Sequence, residues 1–139
     1  MRLAGSWVLG LLSLAGCSGG DPTATDPDLL FEDAFDNAPS EVEVVADGGT
    51  MVRGLDGWLK LRPGITGLKP RQVERYSYRD CAEPLAWFAK ASGEAGLASG
   101  QGGFVCQESS DPRFQFDNGR WLVTDRGSGL VYYRIWKHF

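Results

Sequence analysis

Apolar and polar positions along the chain change period several times, and each change predicts an element. The first apolar run, Leu3 to Leu14, is diluted by Gly5, Ser6 and Gly10 and is shorter than the roughly 20 residues a permanent bilayer span needs. Leu30, Phe31, Ala34 and Phe35 form a narrow stripe over Leu29–Phe35, which predicts one or two helical turns. Glu41–Val45 alternates like a strand, Asp47-Gly48-Gly49 reads as a turn, and Trp58–Leu61 alternates again until Arg62-Pro63-Gly64. Gln72–Tyr78 is a further strand candidate. The clearest helix follows: Asp80 or Glu83 as its cap, Pro84 in its first turn, Leu85, Phe88, Ala89 and Ser92 on one face, and Gly93 as its stop.

The C-terminal third reads as a β-meander. Phe114, Phe116, Trp121 and Val123 flank Asn118-Gly119, the strongest short hairpin signal because both loop positions favour positive φ. That register pairs Phe116 with Trp121 and Phe114 with Val123, and it makes Phe114, Phe116, Trp121 and Tyr133 core residues. A five-residue turn, Asp125–Gly129, then leads into Leu130–Lys137 and puts Val131, Tyr133 and Ile135 on the face of Trp121 and Val123. Phe104–Glu108 is an additional strand. The expected class is α+β, a small antiparallel sheet with one covering helix and one disulfide, and the chain shows no internal repeat.

Before all of this lies a three-part leader. Met1-Arg2 is a minimal basic region, Leu3–Leu14 the apolar core, and Ala15-Gly16 a small-residue site ending on Cys17. Leu14-Ala15-Gly16-Cys17 resembles the lipobox of bacterial lipoprotein precursors, a resemblance confined to residues 1–20. It implies cleavage after Gly16 and acylation of Cys17, which becomes the anchored N-terminus. Ser18, where no Asp stands, resembles the outer-membrane default of Gram-negative lipoproteins. The expected organisation is a signal peptide over 1–16, a lipidated acidic tether over 17–28 and a single domain over 29–139. Residues 18–28, rich in Gly, Asp, Pro and Thr, have little to bury. Repulsion among their acids and from anionic lipid holds such a tether extended.

With residues 1–16 removed and Cys17 used as the anchor, Cys81 and Cys106 remain, and an oxidising compartment pairs them as a disulfide. Charge divides sharply. Ser18–Val52 holds nine acids and no Lys or Arg, whereas Arg53–Phe139 holds 13 basic residues against nine acids. Lys60–Arg79 concentrates six of these bases, with Arg71, Arg75 and Arg79 four apart. They mark either a contact with an anionic envelope component or a solvated face docked on the acidic Ser18–Val52 segment. Tyr132, Arg134 and Trp136 share a face with Leu130 and form an exposed amphipathic patch wherever no helix covers them. These six residues, Arg71, Arg75, Arg79, Tyr132, Arg134 and Trp136, are the candidate binding surface.

Chemistry is sparse. The only histidine, His138, is penultimate and poorly placed to serve as a base. No His and carboxylate cluster suggests a metal, and residues 94–103 lack a phosphate-loop pattern. Glu74, Glu83, Glu94, Glu108 and Asp111 are nominal carboxylates for a small hydrolase, with no spacing that favours a pair. No catalytic residue, metal or cofactor is assigned. Export and a pI near 4.9 argue against nucleic acid. The expectation is a lipid-anchored, non-catalytic envelope protein that binds the membrane through its lipid and also an envelope protein or anionic polymer. An exported inhibitor or immunity-type protein, with Glu94–Gly103 as a mobile loop and its tip, is the alternative, and a small hydrolase the third reading.

Overall fold

The continuous apolar run Trp121-Leu122-Val123 explains the centre of the fold, because a strand with large apolar residues on both sides needs cover on both faces. A computed structural model describes residues 23–138, with Gln101 as backbone only. Helices α1 (Pro27–Ala34) and α2 (Ala82–Ser92) pack on a six-stranded antiparallel sheet. Its strands are β1 (Val42–Thr50), β2 (Gly54–Pro63), β3 (Ser77–Arg79), β4 (Phe104–Ser109), β5 (Asn118–Asp125) and β6 (Val131–His138), in the order β1-β2-β6-β5-β4-β3. This is the expected α+β class. Leu30, Phe31, Ala34 and Phe35 of α1 and its C-cap pack with Leu59, Leu61, Leu122, Tyr133 and Ile135. On the other side Leu85 and Phe88 of α2, with Leu97, pack with Trp58, Trp121, Val123 and Tyr132. Cys81 and Cys106 form the disulfide, Cα atoms 5.4 Å apart, and so fix the start of α2 to β4.

The Asn118-Gly119 hairpin does not form. Neither residue has positive φ, and both open β5, opposite Lys137 and Trp136. The Asn118 side chain accepts from Asp111 N–H at 2.8 Å and donates to the carbonyls of Asp111 and Phe116 at 3.1 Å. It thereby closes the loop 110–117 that joins β4 to β5. Gly119 is needed for space, since a Cβ there would lie 2.4 Å from the Trp136 ring. Trp121 and Val123 pair with Glu108 and Cys106 of β4 instead. Phe114 and Phe116 leave the core and stack on each other, centroids 5.1 Å apart, with Phe114 exposed.

The β5–β6 register also differs by one residue from the expected one. Trp121 opposes Arg134 and Val123 opposes Tyr132. Asp125 N–H reaches Leu130 C=O at 2.9 Å, and Gly129 turns the chain at φ 78°. A one-residue slip exchanges the faces of a strand. Tyr132 and Arg134 therefore lie buried under α2, while Tyr133 and Ile135 face α1.

Three further expectations change. Asp47–Gly49 continues β1, opposite Leu59, Trp58 and Gly57, and Met51–Arg53 carries the chain round to β2. Gly48 is small because the Trp58 indole occupies the space a Cβ would take. Of Gln72–Tyr78 only the last two residues join a strand: Gln72 is left-handed at φ 54°, and Val73–Arg75 is a 3₁₀ turn. The folded body begins before Leu29. Thr25 N–H and hydroxyl reach the carbonyls of Gly49 and Gly48, and Met51 N–H donates to Thr23 C=O at 2.7 Å. Edge strand β1 is blunted by a bulge between Val44 and Ala46 and by exposed Glu43 and Asp47.

Candidate functional site

Parity along β6 puts Tyr132, Arg134, Trp136 and His138 on the α2 side, and parity along β2 puts Asp56, Trp58 and Lys60 opposite them. Arg134 sits where these elements meet. Its guanidinium lies 4.0, 4.9 and 4.5 Å from the ring centroids of Trp87, Trp121 and Trp136. It donates to both carboxylate oxygens of Asp56, at 2.9 and 2.7 Å. His138 stands between two carboxylates, Nε2 3.4 Å from Asp56 and Nδ1 3.4 Å from Asp117. Trp136 Nε1 donates to Asp117 at 3.1 Å. The cluster opens through a groove of about 270 Å³ lined by Thr50, Arg53, Asp56 and His138 among others.

Chemically this is an aromatic cage filled from within. A three-tryptophan box suits a cation, and Arg134 already occupies it. Both Asp56 oxygens are engaged by the guanidinium, so Asp56 is a weak base candidate. Neighbouring Tyr132 donates to Glu94, which also accepts from Lys60, both at 3.0 Å. Burial alone would raise the Glu94 carboxyl; the hydrogen bonds from Lys60 and Tyr132 outweigh it and hold it below its ordinary range. Burial and the Glu94 contact push the Tyr132 hydroxyl up.

The expected surface is thus split. Tyr132 and Arg134 are buried and Trp136 is half-buried, so α2 replaces the exposed patch with a packed interface. The arginines do not stack. Arg71 pairs with Asp36 and donates to Glu32 C=O, Arg75 lies 4.0 Å from Asp111, and Arg79 meets Glu108 at 2.6 Å and Glu83 at 3.4 Å. The turn at Gln72–Arg75 breaks both the helical and the strand spacing that would have aligned them. Cys17 lies outside the described residues. Sequence reasoning misses Asp56 and Asp117. Asp56 and Arg134 are 78 positions apart, and no local pattern joins them.

The nominal carboxylates are dispersed. Glu108 accepts from Arg79 and from Trp121 Nε1 at 2.7 Å. Arg113 hydrogen bonds hold the Asp111 carboxyl well below the ordinary range, and Glu74 is exposed on the 3₁₀ turn. Glu94–Gly103 is no free loop: 3₁₀ turns wind it up, Leu97 is buried in the core and Glu94 is pinned to Lys60. Among the described residues no group of three or more His, Cys, Asp or Glu is placed to hold a metal, and no helix is long and apolar enough to cross a membrane. Comparison with protein families, curated proteins and solved structures finds no match to this chain.

Proposed function

We propose that the mature chain is a lipid-anchored protein of a bacterial envelope, attached through Cys17 to the outer membrane and facing the periplasm. It works by binding an envelope protein or anionic polymer, without catalysis. The observation that carries the reading is Leu14-Ala15-Gly16-Cys17 at the end of a short apolar run. The Cys81–Cys106 disulfide supports export, because such bonds persist in oxidising compartments. The engagement of Asp56, Glu94, Glu108 and Asp111 by cations supports a binding role over hydrolysis.

Expression of the full chain in a Gram-negative host fed labelled palmitate tests the anchor. Label in the membrane fraction for the parent, and none for Cys17→Ala, is the expected result; equal labelling of both defeats the anchor. Capture of the lipoprotein from solubilised envelopes tests the binding role. Recovery with one stoichiometric protein or with wall polymer is expected, and recovery with neither contradicts that role.

A further inference from the structure

The position of Thr23 brings one end of the sheet close to any anchor at Cys17. Thr23 C=O accepts from Met51 N–H at 2.7 Å, so the chain enters the fold beside the β1–β2 turn. Six residue steps separate Cys17 from Thr23, a reach of at most about 21 Å when fully extended. Of the nine acids between Ser18 and Val52 only Asp21 precedes Thr23; Asp26 caps α1 by accepting from Asp28 N–H. The acidic tether expected over residues 17–28 is therefore half as long and nearly uncharged before the fold begins.

That same end carries exposed apolar side chains. Among the described residues eight large hydrophobic side chains are exposed, and Leu29, Met51, Val52 and Phe114 gather here. Leu29 and Met51 line a groove of about 290 Å³ with Leu55, Lys137 and two acids already engaged within the fold, Asp26, which caps α1, and Asp33, 3.6 Å from Arg120. The Lys137 ammonium lies 5.3 Å from the centroid of exposed Phe114 and so joins that ring to the groove. Val52 forms the turn next to exposed Arg53. Scattered surface hydrophobics need no explanation, but a contiguous set does. Apolar side chains flanked by Arg and Lys suit the interface of an anionic bilayer, where the apolar groups enter and the cations stay with the headgroups.

We propose that Leu29, Met51, Val52 and Phe114, flanked by Arg53 and Lys137, form a lipid-contacting rim that seats the domain on the bilayer to which Cys17 is anchored. The inference rests on the lipid-anchor reading and adds an orientation: the β1–β2 turn points at the membrane, and β3 lies at the far edge of the sheet. A short tether keeps the rim within reach, so weak apolar contacts suffice.

Met51 is the test. With Met1 removed it is the single methionine of the mature chain, and it is 57% exposed. The native lipoprotein is inserted from outside into preformed phosphatidylethanolamine–phosphatidylglycerol vesicles and treated with chloramine-T, a charged oxidant that stays in water. Mass spectrometry follows Met51 sulfoxide and the acyl mass on Cys17 together. The lipid-free form starting at Ser18, in buffer, sets the reference rate. We expect Met51 oxidation to slow at least fivefold in vesicles, while iodination of Tyr78, 77% exposed on β3, is unchanged. An acylated Cys17 with undiminished Met51 oxidation overturns the rim alone, as does equal slowing at Tyr78. An unacylated Cys17 overturns the anchor and the rim with it.

Discussion

Removing the Asp56 carboxylate strands the most enclosed charge in the described fold. Arg134 is 8% exposed, and Asp56 supplies both of its charge-assisted hydrogen bonds. Breaking one partner of a buried pair costs about 3–5 kcal/mol, because the other charge stays desolvated. Two features reduce that cost. The tryptophan faces at 4.0–4.9 Å return cation–π attraction of about 0.5–2 kcal/mol, and the Asp56 side chain is 27% exposed, which admits some water. Asp56→Ala should therefore destabilise by about 3 kcal/mol, lowering Tm by about 12 °C for a domain of this size. Arg134→Met leaves an acid that water can reach and should cost about 2 kcal/mol. The double variant keeps apolar volume between the three rings and removes both charges. It should lose no more than about 1 kcal/mol, because apolar replacement of a buried pair is often neutral. Urea unfolding of all four proteins, followed by tryptophan fluorescence, gives the double-mutant cycle. A coupling of at least about 2 kcal/mol is expected; additivity within about 0.5 kcal/mol would refute the account of Arg134 as a charge held by Asp56 inside the cage.

Replacing Cys81 and Cys106 together by Ser opens a loop of 25-residue separation and should cost about 3.5 kcal/mol; an unchanged Tm would show that the bond contributes nothing. Gly119→Ala drives a Cβ into the Trp136 ring, with a loss of about 1–3 kcal/mol and a changed near-ultraviolet dichroism of the indoles. The depressed Glu94 carboxyl contributes stability that is present above its unfolded pKa, about 4.3, and is lost as pH falls through its lower folded value. Glu94→Gln should accordingly flatten the acid limb of the stability–pH profile below about pH 5, as measured by urea midpoints; an identical limb would refute the Lys60–Glu94–Tyr132 linkage.

Local physics made some of this legible from sequence. The α1 stripe, the Leu85–Phe88 face, the Gly93 stop and the Cys81–Cys106 pair all depend on spacing within one element or on the cysteine count, and all four are found in the structure. What failed depends on pairing at a distance. Asn118-Gly119 carries a strong hairpin signal, yet Trp121 and Val123 gain more by joining β4 and covering Cys106 and α2 than by pairing with Phe114 and Phe116. The face of Tyr132 and Arg134 turned on a single residue of register set by the Asp125–Gly129 turn, which loop length alone did not determine. The cage was illegible for the same reason: its members come from β2, α2, β5 and β6, and only the β2–β6 pairing brings Asp56 to Arg134.

The most direct test of the account is the intact mass of the protein purified from envelopes of the cells that make it. The account predicts a chain that begins at Cys17 and carries a diacylglyceryl group, with Cys81 and Cys106 two hydrogens short of reduced. A chain still bearing Met1, or one cleaved elsewhere with an unmodified Cys17, would contradict it.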